Sequence, residues 1–245
     1  MLDGRNIIVT GAARGLGAEI AKTLAEQGAR LILADILEEE GRATAETLGA
    51  EFLPVDLAEP ASIEAMGKAA AELTGGVLHG LVNNGAIATG IGGIPFDEIA
   101  IDSWDLVQRV NVRGTWLMIR AMTPLLKTSG SGRIVNLASD TAIWGAPNLM
   151  SYVASKGAVI SMTRSLAREL GPCHIGVTAV APGILTTEST EYVPVERHDL
   201  YAGRSAVPGR QAPEQVTGVV AFLLSSGALT LTGQVLPVNN GFVFA

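Results

Sequence analysis

Thr10-Gly11-Ala12-Ala13-Arg14-Gly15-Leu16-Gly17 is the stretch whose reading decides the fold. Ile7-Ile8-Val9 before it is short and β-branched, as a buried strand is. Residues 15–27 after it read as a helix, with Ile20, Leu24 and nearby alanines on one face and Gly28 as the stop. Glycine in such a turn permits a tight bend and lets a ligand come close to the backbone. The helix N-terminus then offers free N–H groups and the positive end of its dipole to a pyrophosphate. A glycine cluster alone is a weak signal; between a strand and a helix it reads as a dinucleotide turn.

The same alternation continues along the chain. Leu31-Ile32-Leu33-Ala34 reads as a second strand ending at Asp35, and a helix follows near 38–48. Phe52 to Val55 is a third strand ending at Asp56, with a helix from Ser62 to Leu73. Leu78–Val82, Arg133–Leu137, Val177–Val180 and Val235–Val238 are further strands. Residues 103–127, 151–170 and 213–224 read as helices, the first two long. The strands are near-continuously apolar, so they lie in a parallel sheet covered on both faces. Strand–helix alternation implies right-handed crossovers and a three-layer, doubly wound α/β sheet of seven strands. No linker or repeat divides residues 1–245, so one domain is expected, with a substrate loop near 184–212.

Composition excludes several classes. The chain has 245 residues, 48% hydrophobic and only 17% charged, too apolar for a disordered chain. Glycine is in surplus, 29 residues, without the period of collagen, so it serves turns and close approaches. A net charge of −7 argues against nucleic acid as partner. The single cysteine, Cys173, has no internal partner and suits a reducing compartment. No apolar run of membrane-spanning length and no leader pattern is read, so a cytoplasmic protein with no membrane partner is expected.

Beyond the turn, Asp35 stands where an acidic residue accepts hydrogen bonds from the adenosine ribose in a dinucleotide fold. Its charge opposes the 2′-phosphate of NADP and favours NAD, while Arg14 pulls the other way; a simple strand-end cap is the alternative role. Tyr152 and Lys156 are four apart, hence on one helix face. Ser139 follows the fifth strand at the carboxyl edge, where open sheets bind ligands. Hydride transfer to a carbonyl needs a proton donor, and the reverse needs a base. A tyrosine whose pKa is lowered by a nearby ammonium fits both, with Ser139 orienting the oxygen. Trp144 and Leu149 are candidate substrate contacts with Ser139 and Tyr152, Trp144 equally well a packing residue; Ile184 is a further pocket candidate. Asp140 reads as a solvated or hydrogen-bonded turn residue. His79, His174 and His198 are scattered, and no metal site is expected.

Taken together these residues resemble the classical short-chain dehydrogenases/reductases over essentially the whole chain, which implies a Rossmann fold. The turn is similar to the family's TGxxxGxG motif, and Asp35 to its NAD-selecting acid. Asp56-Leu57 resembles the pair beside the adenine. The resemblance also assigns Gly11, Arg14, Gly15, Leu16, Gly17 and Asn83 to the cofactor, with Pro182, Gly183, Leu185 and Thr187 near the nicotinamide. It assigns catalysis to Asn111, Ser139, Tyr152 and Lys156, with Asn111 helping to hold a water near the lysine and Lys156 also gripping the nicotinamide ribose. It implies an NAD-dependent oxidoreductase interconverting a secondary alcohol and its ketone. It also leaves room for an NADPH-linked 3-ketoacyl reductase, a dehydratase or epimerase on the same fold, or a catalytically silent partner subunit. A homotetramer is implied, with residues 103–127, 151–170 and the apolar end Phe242–Ala245 as contact candidates. Two stretches depart from the family pattern. Asn83-Asn84-Gly85-Ala86 replaces Asn-Asn-Ala-Gly, and Val238-Asn239-Asn240-Gly241 replaces Val-Asp-Gly-Gly.

Overall fold

The computed structural model describes residues 1–244, and of Ser189 only the backbone; Ala245, the last residue of the expected apolar contact, lies outside the described residues. Seven parallel strands form one sheet in the order β3-β2-β1-β4-β5-β6-β7. They are β1 (Asn6–Thr10), β2 (Arg30–Asp35), β3 (Glu51–Pro54), β4 (Gly80–Asn83), β5 (Arg133–Leu137), β6 (Gly176–Pro182) and β7 (Val235–Val238). All pairings are parallel, with β1 flanked by β2 (Ile8 opposite Ile32) and β4 (Ile8 opposite Leu81). The doubly wound α/β expectation therefore holds, and most strands start or stop within a residue or two of their expected bounds.

Helices cover both faces. Ile7 and Val9 of β1 pack with Ile20 and Leu24 of α1 (Gly15–Glu26) on one side. Ile8 packs on the other with Ile63 of α3 (Pro60–Thr74). On the α1 face lies α2 (Glu38–Leu48), whose first turn carries Glu38, Glu39 and Glu40 at the positive end of its dipole. Ile7, Ile8 and Val9 are fully buried, each by about 1.5–3 kcal/mol of apolar transfer. That two-sided burial is why the strands lack polar alternation.

The stretch expected as one helix over 103–127 is three segments. α4 (Ile101–Gln108) passes into a π-turn at Arg109–Gly114 and then into α5 (Thr115–Thr128). Periodicity alone does not show this, because all three segments are helical and the phase changes by one residue. Gly114 explains part of it: a Cβ there would lie 2.7 Å from the Leu57 carbonyl oxygen, so only glycine lets the π-turn approach the β3–α3 connection.

After β5 come the short α6 (Thr141–Trp144) and the long α7 (Met150–Leu170). The expected loop at 184–212 contains a short 3-10 turn, Glu188–Thr190, and α8 (Val195–Arg204). α9 (Glu214–Leu223) closes the α1 face, Val216 and Val220 joining its core. Among the described residues no helix is long and apolar enough to cross a membrane.

Candidate active site

The strand order reverses between β1 and β4, and there the two chain ends leave a crevice. Thr10 joins them: its hydroxyl accepts the Asn84 and Gly85 N–H groups at 3.1 and 3.0 Å. The Asn84 amide donates to the carbonyls of Thr10 and Gly11 at 3.1 and 2.9 Å. The turns are so close that a Cβ on Gly11 would lie 2.6 Å from Gly85 Cα. A Cβ on Gly17 would lie 1.9 Å from the Gly11 carbonyl oxygen. Gly15 differs: its φ is +58° and the space beside it is open. Two glycines thus close the turn and the third leaves a cradle at the start of α1, the fit that a pyrophosphate requires.

A cleft of about 1210 Å³ runs from this turn along the carboxyl edge, larger than the roughly 300–1,000 Å³ of a single-ligand pocket. Of the sequence candidates it is lined by Gly11, Arg14, Gly15, Leu16, Gly17, Asp35, Asp56, Leu57, Ser139, Leu149, Tyr152, Lys156, Pro182, Gly183, Leu185 and Thr187. Asp35 accepts the Ala13 N–H at 2.9 Å and the Leu37 N–H at 3.1 Å, which fixes its carboxylate between β2 and the glycine turn. Asp56 accepts the Ala58 N–H at 2.8 Å.

Three candidates stand elsewhere. Asn83 is buried behind the wall, donating to the Asn136 side chain at 2.8 Å; its neighbour Asn84 lines the cleft. At the strand end the pleat turns one residue inward and the next outward, so Asn84 and not Asn83 faces the cleft. Trp144 does not line the cleft either. Its indole N–H donates to the Tyr201 hydroxyl at 2.9 Å, and its ring packs edge-on against Tyr201 and Phe242. Asn111 is buried in the π-turn, its side-chain amide occupied by the Ile87 backbone N–H (2.7 Å), the Ile87 carbonyl (3.0 Å) and Ser155 Oγ (3.1 Å). It braces the cleft wall at Ile87, with both amide hydrogens engaged.

α7 carries Tyr152 and Lys156 one turn apart into the cleft. Lys156 Nζ sits 5.5 Å from the Tyr152 ring centre and donates to the Leu137 carbonyl at 2.7 Å. Burial pushes the ammonium down to about 8. Burial also pushes the Tyr152 phenol above its ordinary value; hydrogen bonding with Ser139 opposes this, and the nearby Asp140 charge adds to it. The expected lowering of the tyrosine is not found; desolvation sets its direction. Ser139 Oγ accepts from the Thr141 hydroxyl at 2.9 Å and the Thr141 N–H at 3.3 Å, which leaves its own proton to point at Tyr152 or a substrate oxygen.

Asp140 is fully buried rather than solvated. It accepts from the Tyr201 hydroxyl at 2.8 Å and the Asn239 amide at 3.2 Å. Burial pushes its carboxyl up to about 6. The far half of the cleft carries Leu106, Leu149, Ile184, Val193 and Leu200, with Glu188, Glu196 and Arg197 among them, and Tyr192 donates to the Ala88 carbonyl across its mouth.

A family model described as enoyl-(acyl carrier protein) reductase, of the short-chain alcohol dehydrogenase type, matches residues 11–243. The chain is 36% identical to a 3-alpha-(or 20-beta)-hydroxysteroid dehydrogenase of Mycobacterium tuberculosis, over 99% of this chain and 90% of that one. The protein belongs to the short-chain dehydrogenases/reductases. A trans-4-hydroxycyclohexanecarboxylate dehydrogenase of Sinomonas cyclohexanicum is 34% identical over 96% of this chain and 91% of that one. A 3-ketoacyl-(acyl-carrier-protein) reductase of Brucella melitensis, solved with NADH, superposes with a TM-score of 0.90 at 31% identity, each chain covered fully. As a member of this family the protein is an oxidoreductase that uses a nicotinamide cofactor.

Proposed function

We propose that this short-chain dehydrogenase/reductase is NAD-dependent and interconverts a secondary alcohol and its ketone, with Tyr152 as general acid and base. The observation that carries the reading is the meeting of Ser139, Tyr152 and Lys156 in the same cleft as the glycine cradle. A bound nicotinamide supplies the hydride acceptor or donor and, oxidised, a positive charge. In reduction the Tyr152 hydroxyl donates its proton to the ketone oxygen, and burial keeps that proton in place until then. In oxidation Tyr152 removes the alcohol proton. Lys156, charged at neutral pH with its pKa near 8, favours the phenolate that must form. Ser139 donates to the substrate oxygen and holds it within reach of the phenol.

Asp35 supports NAD over NADP, since a 2′-phosphate would meet its fixed carboxylate. The apolar side chains of the far half, with the hydroxysteroid and cyclohexanecarboxylate relatives, favour a bulky alicyclic alcohol. Exposed Leu106 and Trp116 on α4 and α5, with exposed Phe244, supply apolar surface for the homotetramer we expect. Tyr152→Phe is the direct test. Turnover of an alicyclic alcohol with NAD should fall about 10²–10⁴-fold, and near-wild-type turnover would refute the role. A second reading, an NADPH-linked 3-ketoacyl reductase, is favoured by the exposed Arg14 beside the cradle. Comparing kcat/KM for NAD and NADP separates the two, and a preference for NADP would overturn the Asp35 argument.

A further inference from the structure

Asp140 follows Ser139 directly, and its buried carboxylate joins parts of the chain that are far apart in sequence. One oxygen accepts from Tyr201 on α8; the other accepts from Asn239, just past β7. The Tyr201 hydroxyl in turn accepts the Trp144 indole N–H at 2.9 Å. Its ring lies flat on Phe242, centroids 3.9 Å apart and planes 14° apart. Asn239 is held in turn, accepting the Gly241 N–H at 3.2 Å and donating to the Val243 carbonyl at 3.3 Å. Gly183 closes the assembly: a Cβ there would lie 3.1 Å from both Tyr201 Cε1 and Asn239 Cβ. Tyr192, which donates to Ala88, is 47% exposed, whereas Tyr201 is 6% exposed. The segment that walls the far half is therefore anchored at its Tyr201 end.

The charge pattern gives the anchor direction. Tyr201 and Asn239 are both donors, and a carboxylate is an acceptor at both oxygens. An aspartate at 239, as in the Val-Asp-Gly-Gly pattern, would place a second carboxylate at hydrogen-bonding distance from the first, without a cation between them. The asparagine at 239 and the aspartate at 140 thus account for each other.

We propose that Asp140, Tyr201 and Asn239 form a latch that holds α8 against the catalytic edge, and that Asp140 is a positioning residue setting the affinity for the alcohol substrate. This rests on the function proposed above for the same cleft. Tyr201→Phe removes one hydroxyl and keeps the stacking. It should raise the KM for an alicyclic alcohol about tenfold, leave kcat within about threefold, and leave the Kd for NADH unchanged. Asn239→Asp should lose most activity through repulsion between the two carboxylates. The exchange Asp140→Asn with Asn239→Asp restores the donor–acceptor pair between 140 and 239 but not the bond to the Val243 carbonyl, and should bring the KM part of the way back to wild type. Hydrogen exchange of residues 195–204 reads the latch without turnover: protection should fall in Asn239→Asp and return in the double variant. An unchanged KM in Tyr201→Phe, or a double variant no better than Asn239→Asp in hydrogen exchange, would overturn the latch. If no alcohol is turned over but the exchange pattern holds, the functional reading fails and the latch stands.

Discussion

Two buried cations sit at opposite ends of the same sheet, and they are treated differently. Arg133, at the amino end of β5, is 4% exposed and donates to five backbone carbonyls: Ser131, Gly132, His174, Ser225 and Ser226. Lys156, beside the carboxyl end of the same strand, is also 4% exposed, and among the described residues its ammonium donates to the Leu137 carbonyl. Burial lowers the pKa of both. A guanidinium with every nitrogen engaged by backbone carbonyls is a staple between β5, β6 and the turn before β7. An ammonium with three donors and one protein acceptor keeps capacity for something else. The amino end of the sheet is built for stability and the carboxyl end for reaction.

The sharpest way to break this contrast is to remove each charge. Lys156→Met should cut kcat/KM about 10²–10⁴-fold, while the melting temperature of the cofactor-free protein stays level or rises. The sign follows from the lysine being depressed to about 8: its folding contribution is present at high pH and lost as pH falls through that value, so at neutral pH it costs stability. A large drop in melting temperature would show Lys156 to be a staple after all. Arg133→Met should do the reverse. Five carbonyls lose their donor, and a denaturant titration should show a loss above about 3 kcal/mol, at about 1–3 kcal/mol for each stranded group. Kinetics per folded molecule should stay near wild type.

Asp140 sharpens the comparison from the carboxyl end. Its pKa is raised from 3.8 to about 6, so folding favours the protonated form. Its contribution to stability is full below pH 4 and declines as pH rises through 6, by up to about 3 kcal/mol. Chemical denaturation of wild type and Asp140→Asn across pH 4–7 should show this decline in the first and not in the second. Parallel curves would remove the carboxyl from the ledger. Gly15→Ala is the smallest change: the φ of +58° should cost about 1 kcal/mol, with a several-fold rise in the KM for NAD because the methyl enters the cradle.

The strands, the glycine turn and the Ser139, Tyr152 and Lys156 positions were legible because each has a local signature: an apolar run, a turn before a helix, a four-residue spacing. That Asn83 faces away from the cleft is not legible, because the pleat at a strand end is decided by the register with β1 and β5. Trp144 was drawn toward the cleft by its nearness to Ser139, and away from it in space by Tyr201, 57 residues on. The Asp140 network spans 99 residues from Asp140 to Asn239, and no local rule joins them. Its trace in the sequence is the asparagine at 239, where the family pattern has an aspartate.

The π-turn at Arg109–Gly114 has one more consequence. A π-turn adds one residue to a helical path, so every side chain after it is advanced by about 100°. Met118, Met122 and Leu126 meet the sheet only because of that advance. Deleting one residue between 109 and 114 would heal the α ladder and swing all three off the core. This part of the chain is a gauge of fixed length: its residue count is as much a requirement as the identity of Asn111.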